Sequence, residues 1–279
     1  ELLSFQSHQL KYLDISPNEA SSPQESQVAP VESKEEEFPK ATALALFDYL
    51  RKSRTQGYSL SLSGGADSAT CAVMVAEMVR RGIEAYGIKK FSQKIHQEEL
   101  SSLREKEIVG KLFYTAYQGT RNSSDETLNA AKTLAESIGA TFYNWTIDTA
   151  VDTYSSTISS VLNRDLTWAQ DDLALQNIQA RARSPIIWML TNITGTLLLT
   201  TSNRSEGDVG YTTMDGDTSG SLAPISSVDK PFIRSWLSYA ETHFGYSGLA
   251  PINALAPTAE LRPQDQKQTD EDDLMPYDI

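Results

Sequence analysis

The chain has 279 residues, enough for one large domain or two small ones, and its hydrophobic fraction of 39% is ordinary for a globular protein with one principal core. A formal net charge of -13 excludes a general nucleic-acid or anionic-membrane surface, because such partners need clustered lysine and arginine; any phosphate site must be locally basic or metal-assisted. The single cysteine, Cys71, excludes an internal disulfide framework and a cysteine metal site, and there is neither an apolar run of about 18 residues nor a basic-then-apolar leader, so a reducing, cytoplasmic setting is expected.

Residues 1–15 carry a few apolar side chains, whereas 16–37 are rich in Ser, Pro, Gln and Glu and end on the acidic run Glu35, Glu36, Glu37. That composition cannot bury enough surface to fold alone. Residues 1–38 therefore read as a linker or the tail of a preceding domain, and residues 39–279 as the folded unit. A first residue other than Met fits a processed product or a fragment. A helix is predicted from Pro39, with Leu44, Phe47 and Leu50 on one face and Gly57 beyond its end.

Residues 58–69 read Y-S-L-S-L-S-G-G-A-D-S-A. Leu60 and Leu62 alternate with Ser59 and Ser61 as on a strand, the run breaks at Gly64 and Gly65, and helical periodicity follows. Paired glycines let the backbone approach a ligand, and a helix N-terminus attracts an anion, so phosphate is the natural guest. Ser63 and Ser68 add hydroxyl donors, and Asp67 adds a carboxylate able to hold a divalent metal. The plainer reading is a turn capped by Asp67 or Ser68. Neither G-x-x-x-x-G-K-[ST] nor G-x-G-x-x-G with its acidic partner occurs, so kinase-type and dinucleotide-fingerprint sites are not supported. S-G-G-A-D-S instead resembles the PP-loop of the ATP pyrophosphatases, which release pyrophosphate from ATP and leave AMP on a substrate oxygen.

A helix over 69–81, stopped by Gly82, leads to a second strand at 85–88. Residues 91–108 are weakly periodic, either a helical insertion or a mobile excursion. A third strand is predicted at 111–117, a polar loop at 119–124, a helix with Leu128, Ala131, Leu134 and Ile138 on one face, and a fourth strand at 142–147. Helices at 150–162 and 171–192 follow, the second carrying Arg181 and Arg183 among apolar positions that include Ile178, Ile186 and Leu190. A fifth strand at 195–201 ends in a polar, glycine-rich loop over 202–225, a pattern more often functional than structural. The alternation implies a Rossmann-like, doubly wound α/β fold: a mainly parallel five-stranded sheet with helices on both faces and ligands beyond the carboxyl ends of the strands.

S-G-G-A-D-S, N-I-Q-A-R-A-R, T-T-S-N-R-S-E with G-Y-T-T and G-D, A-P-I with Lys230 downstream, and P-T-A-E-L before Q-T-D-E-D-D-L occur in this order. Together they resemble the NAD synthetases, and the middle segment looks most like the synthetase domain of the glutamine-dependent class, over residues 39–278. The resemblance implies an adenine nucleotide alpha hydrolase-like fold and a two-step ligase. The nicotinate carboxylate of deamido-NAD attacks the ATP α-phosphate and releases pyrophosphate; ammonia then displaces AMP. It implies that Ser63, Gly64, Gly65, Asp67 and Ser68 hold the ATP phosphates, that Asp67 and Glu206 bind Mg²⁺, and that Thr201 and Thr258 contact ATP. Lys230 matches the lysine facing the phosphates, with Asp67 and Glu206 the catalytic set, and Arg181 matches the arginine on the deamido-NAD side.

Plainer roles compete: Lys230 beside Pro231 as a surface cation, Thr258 as a turn cap. Arg181 lies on a mostly apolar helix, where a buried guanidinium needs an anionic partner. Met214 and Ser221 stand where many ammonia-dependent relatives carry Lys and Asp, leaving Asp217 as the candidate substitute contact. The family usually continues past the position of Ile279 with a further helix and basic residues. Cys71, inside the loop's own helix, cannot supply the Cys-Glu-Lys triad of a nitrilase-like glutaminase. A glutaminase domain N-terminal to this chain is expected to provide ammonia, with a free-standing ammonia-dependent enzyme as the alternative. Family members dimerise through helices beside the deamido-NAD site, which suits 171–192 in a homodimer or larger homo-oligomer. Two further readings stay open: another PP-loop amidotransferase or ligase, GMP-synthetase-like or tRNA-modifying, and a nucleotide-binding module without turnover.

Overall fold

The computed structural model of the chain describes residues 32–255 and 261–262. Strands β1 (Tyr58–Ser61), β2 (Phe113–Gly119), β3 (Thr141–Thr146) and β4 (Leu197–Leu199) pair in the order β3-β2-β1-β4, each pairing parallel. Parallel neighbours need crossovers, and helices supply them. α2 (Ala66–Lys94) and α3 (Glu105–Leu112) join β1 to β2, α4 (Asp125–Ile138) joins β2 to β3, and α5 (Asp148–Leu162) with α6 (Trp168–Thr194) returns the chain to β4. α1 (Lys34–Ser53) precedes the sheet; α7 (Arg204–Val209), α8 (Lys230–His243) and α9 (Ala250–Ala254) follow it. The chain winds outward from β1 to β3 and then crosses to the far side of β1. The carboxyl ends of β1 and β4 therefore bound a crevice at the point where the winding reverses.

The main core includes Leu60, Leu62, Met74, Met78, Phe113, Leu134 and Trp236, drawn from the sheet and from α2, α4 and α8, with Leu46 and Leu50 of α1. A smaller cluster of Ala116, Leu198 and Ile187 lies between the sheet and α6. Helices thus cover both faces, and β1, flanked by β2 and β4, is buried over its first three residues: Tyr58, Ser59 and Leu60 are inaccessible. Ser59 sits there at little cost because its hydroxyl bonds that of Thr196.

The sheet has four strands among the described residues, not the expected five. Residues 85–88 are helical, in a long α2 that kinks at Gly87. The positions beside β1 are taken by β2 and β4, and Phe91 and Ile95 recur at helical spacing and bury in the core. Gly82 does not stop the helix: it makes room for the Phe91 ring, whose carbons lie 2.5 Å from where a Cβ would stand. Residues 91–108 are mostly helical, ending α2, forming a short 3₁₀ turn at Glu98–Ser102 and beginning α3. α1 starts at Lys34, so Glu35, Glu36 and Glu37 form its first turn, where the helix dipole favours carboxylates. Pro39 lies inside it and removes the donor for the Glu35 carbonyl; the Trp236 indole N–H fills that role at 3.1 Å. Residues 1–31, Thr258 and the Q-T-D-E-D-D-L segment lie outside the described residues.

One buried charge ties α2 to the segment after α8. Glu77 is inaccessible, with Oε1 accepting from Arg80 Nε at 2.7 Å and the Tyr246 hydroxyl at 2.6 Å, and Oε2 from Arg80 Nη2 at 2.7 Å and Arg81 Nε at 2.6 Å. Burial pushes its carboxyl up, but hydrogen bonds from Arg80 and Tyr246 and the two guanidinium charges together outweigh it, and the group lies below the ordinary glutamate range. Glu77→Gln should cost about 3 kcal/mol, the low end for breaking a buried ion pair, because both arginines reach solvent. A carboxyl with a depressed native pKa stabilises above its unfolded value of about 4.3 and ceases to do so as pH falls through the lower native value. The gap between wild type and variant in urea unfolding should therefore stay level from pH 7 to 5 and shrink only at more acid pH.

Candidate active site

The segment after β1 turns sharply at Gly64, whose φ is +85°. A side chain there would be strained by that conformation, and its Cβ would stand 2.3 Å from the Thr127 carbonyl oxygen on α4. Gly65 is the N-cap of α2 in extended conformation, so Ala66, Asp67 and Ser68 occupy its first turn, where backbone N–H groups lack intrahelical acceptors. The two serine hydroxyls brace this turn. Ser68 Oγ accepts from the Ser63 N–H at 3.2 Å and donates to the Gly65 carbonyl at 3.1 Å, while Ser63 Oγ accepts from the Gly65 N–H at 3.3 Å. The Ser63 and Gly65 N–H groups are thus satisfied within the turn, and the first turn of α2 supplies the remaining donors at the positive end of a helix.

Opposite it, Glu206 sits in the first turn of α7 and Lys230 opens α8. Asp229 caps α8 by accepting the Phe232 N–H at 2.8 Å and pairs with Arg204 at 2.9 Å, while the Lys230 N–H donates to Ser205 Oγ at 3.1 Å; α7 and α8 therefore meet at their N-termini. Lys230 is only 3% exposed. Its ammonium lies 2.5 Å from Asp67 Oδ2 and 3.5 Å from Glu206 Oε1. The surface-cation reading of Lys230 is thus overturned, and the two expected metal carboxylates share one cation. Among the described residues no cluster of three or more His, Cys, Asp or Glu is placed to hold a metal. Two carboxylates still fit Mg²⁺, which commonly takes one or two protein carboxylates, waters and substrate phosphates.

These groups line a cleft of about 450 Å³, within the usual range for a small-molecule site. Ser63, Asp67, Ser68, Thr201, Glu206, Asp217 and Lys230 all border it. Thr201 follows β4, and Asp217 sits on the loop after α7, its carboxylate accepting the Thr213 N–H at 2.9 Å. That loop is carried by a stripe of α6: Thr213 donates to Asn177 at 2.9 Å, Arg181 to the Met214 carbonyl at 3.0 Å, Ser184 to the Asp215 carbonyl at 2.6 Å, and Trp188 to Ser219 at 2.7 Å. Arg181, expected to be buried, is exposed and does not border the cleft; Arg183, two positions on and so on another side of the helix, does.

Three bordering or supporting residues were given no role in the motif reading, although Asn203 and Leu261 lie within its segments. Gln118, at the end of β2, accepts from Trp145 Nε1 at 3.1 Å and donates to Ser61 Oγ at 3.1 Å, and its carbonyl accepts from Arg183 at 3.1 Å. Leu261 closes one margin, its carbonyl accepting from Gln179 at 2.7 Å and Asn122 at 3.2 Å. Asn203 is the N-cap of α7 and bonds Asp67; the N-x-x-E pattern of a capping box was the available signal.

The NAD synthase family model matches residues 40–279. The glutamine-dependent NAD(+) synthetase of Oryza sativa subsp. indica is 36% identical over 263 residues, covering 86% of this chain and 36% of the relative. The crystal structure of a glutamine-dependent NAD(+) synthetase from Cytophaga hutchinsonii superposes with a TM-score of 0.77 at 56% identity, covering 84% of this chain and 41% of that one. The glutamine-dependent NAD+ synthetase from Acinetobacter baumannii in complex with ADP shares the fold, with a TM-score of 0.64 at 23% identity over 84% of this chain and 38% of that one. The chain therefore spans little more than a third of the rice relative's length.

The two loop glycines should respond differently to the same change. Gly64→Ala combines a left-handed backbone with a clash on Thr127 and should cost about 2 kcal/mol or more, lowering Tm by roughly 4 to 8 °C. At Gly65 the nearest atom to an added Cβ is Ser63 Oγ at 3.4 Å, so Gly65→Ala should leave Tm within about 2 °C of wild type in a calorimetric scan.

Proposed function

The chain belongs to the NAD synthase family, and from that premise we propose that it uses ATP to activate the nicotinate carboxylate of deamido-NAD and amidates it with ammonia to give NAD, the last step of NAD biosynthesis. The observation that carries this reading is the meeting of Asp67, Glu206 and Lys230 over a glycine turn at the β1/β4 crevice. A carboxylate is a poor acylating agent until one of its oxygens becomes a good leaving group. Its attack on the ATP α-phosphate breaks the bond to the β-phosphate and expels pyrophosphate; attack of ammonia on the acyl carbon then breaks the bond to AMP. Both substrates are polyanions, so holding them together and neutralising charge dominate the catalysis.

In this proposal the turn of Ser63, Gly64, Gly65 and Ser68, at the N-terminus of α2, receives the triphosphate, and the ammonium of Lys230 turns from its carboxylates toward the departing pyrophosphate. Asp67 and Glu206 would hold Mg²⁺, which would supply charge neutralisation for the phosphates. Thr201 and Thr258 are assigned to ATP. Arg181 and Asp217 are assigned to the deamido-NAD side, on the helix and loop that roof the cleft. Residues 39–279, with the first residues of α1 from Lys34, are assigned to the synthetase domain, and the residues before them to a linker or the tail of a preceding glutaminase domain.

Ammonia comes from that glutaminase unit, within the greater length of relatives named as glutamine-dependent. Cys71 is no substitute: it is buried, and burial pushes its thiol up, away from the thiolate a nucleophile requires. We assign the cytoplasm as the setting; among the described residues no helix is long and apolar enough to cross a membrane. We also assign a homodimer. α5 buries none of its residues, and Ile158, Val161 and Leu162 lie open, as do Leu173, Met189 and Ile193 on α6. Such a concentration of exposed apolar side chains suits a second copy.

Pyrophosphate release should require ATP, Mg²⁺ and deamido-NAD together, and NAD should appear with ammonium salts but not with glutamine. Asp67→Asn should lower that rate at least ~100-fold while retaining the circular dichroism spectrum. Equal pyrophosphate release without deamido-NAD would overturn the substrate assignment. For the assembly, light scattering should give a dimer for wild type and a monomer for Val161→Asp; a wild-type monomer at micromolar concentration counts against it.

A further inference from the structure

Asn203 is 2% exposed, and each end of its side chain is committed. Nδ2 donates to Asp67 Oδ1 at 3.0 Å, and Oδ1 accepts the Glu206 backbone N–H at 3.0 Å. Its own N–H donates to Glu206 Oε2 at 3.4 Å. Asp67 belongs to the turn after β1 and Glu206 to the helix after β4, so this one amide spans the crevice and touches both carboxylate-bearing residues. The requirement is specific to an amide: one neighbour can only accept and the other can only donate. Serine or threonine would keep the cap of α7 but could not reach Asp67, and burial leaves little room for water to replace the lost bond.

We propose that Asn203 is the positioning residue that sets the separation and orientation of Asp67 and Glu206, so that one divalent cation carrying a nucleotide can engage both. The proposal rests on the ATP and Mg²⁺ reading of the site. Asn203 acts through the two carboxylates and not on substrate itself. Removing its bridge should therefore cost the metal-dependent part of nucleotide binding, while a merely structural role would weaken binding with and without metal alike.

The test is titration calorimetry of the full chain with ATP, with Mg²⁺ and again with EDTA, on wild type, Asn203→Ser and Asn203→Thr. Wild type should bind ATP at least tenfold more tightly with Mg²⁺. Asn203→Ser should reduce that gain to less than threefold, with metal-free ATP affinity within threefold of wild type and the melting curve still cooperative. Should the serine variant not fold, the threonine variant is read on the same scale. Retention of the wild-type gain, or an equal loss with and without Mg²⁺, overturns the proposal. Absence of any Mg²⁺ gain in wild type defeats the metal reading and this proposal with it. A gain lost in the variant of a chain that releases no pyrophosphate with deamido-NAD supports the positioning role while defeating only the proposed reaction.

Discussion

The ammonium of Lys230, on a residue almost wholly withdrawn from solvent, lies 2.5 Å from the Asp67 carboxylate and 3.5 Å from that of Glu206. Removing a lysine from water is unfavourable unless its charge is met, and here two carboxylates meet it. Two carboxylates and one ammonium leave a single negative charge at the mouth of a turn otherwise built for anions. A bare triphosphate approaching that turn faces repulsion from this excess; a divalent cation between the carboxylates reverses its sign. The charge balance thus favours metal and nucleotide arriving as one species over either arriving alone, which is the electrostatic basis of the proposed reaction. An acidic chain with a net charge of -13 can accept a polyanion only through such a local arrangement.

The fold makes that arrangement possible by bringing together residues 163 positions apart. Asp67 is delivered by the first strand-to-helix turn, Glu206 by the turn after β4, and Lys230 by the start of α8; all three are helix N-termini. Each such terminus carries a partial positive charge, so three of them converging make a site in which carboxylates and phosphates are both stabilised. The reversal of winding between β1 and β4 is what lets them converge, because neighbouring crossover helices there diverge to opposite faces and leave the crevice open.

Much of this was readable where the chemistry is local. The glycine turn, the strand before it and the helix after it follow from twelve consecutive residues, and the helix with Ala131, Leu134 and Ile138 buried was marked by its spacing. What sequence did not disclose depended on distant partners. Residues 85–88 have the composition of a strand, yet the sheet has no place beside β1, and only the packing of Phe91 against Phe47 and Gly82 shows why helix prevails. Resemblance marked Lys230 as the lysine facing the phosphates, but residue type alone left a surface cation beside a proline equally open, because its carboxylates are far away in the chain. Resemblance singled out Arg181 and gave Arg183 no role, but two residues turn a helix by about 200°, and the register of α6 on the sheet brings Arg183 to the cleft.

That register also distributes work around α6. The stripe of Asn177, Arg181, Ser184 and Trp188 holds the loop over the cleft; Ala180, Arg183 and Ile187 border the cleft; Leu173, Met189 and Ile193 are left to solvent. A helix committed on two sides cannot rotate to relieve a change on one of them without moving the other. If the open side is covered by a second copy, as proposed, the position of the loop carrying Asp217 becomes a property of the assembly as well as of the chain. The exposure of Arg181 then has a physical reason: its guanidinium is spent on a backbone carbonyl of that loop, a role that calls for reach and a fixed donor geometry rather than burial beside an anion.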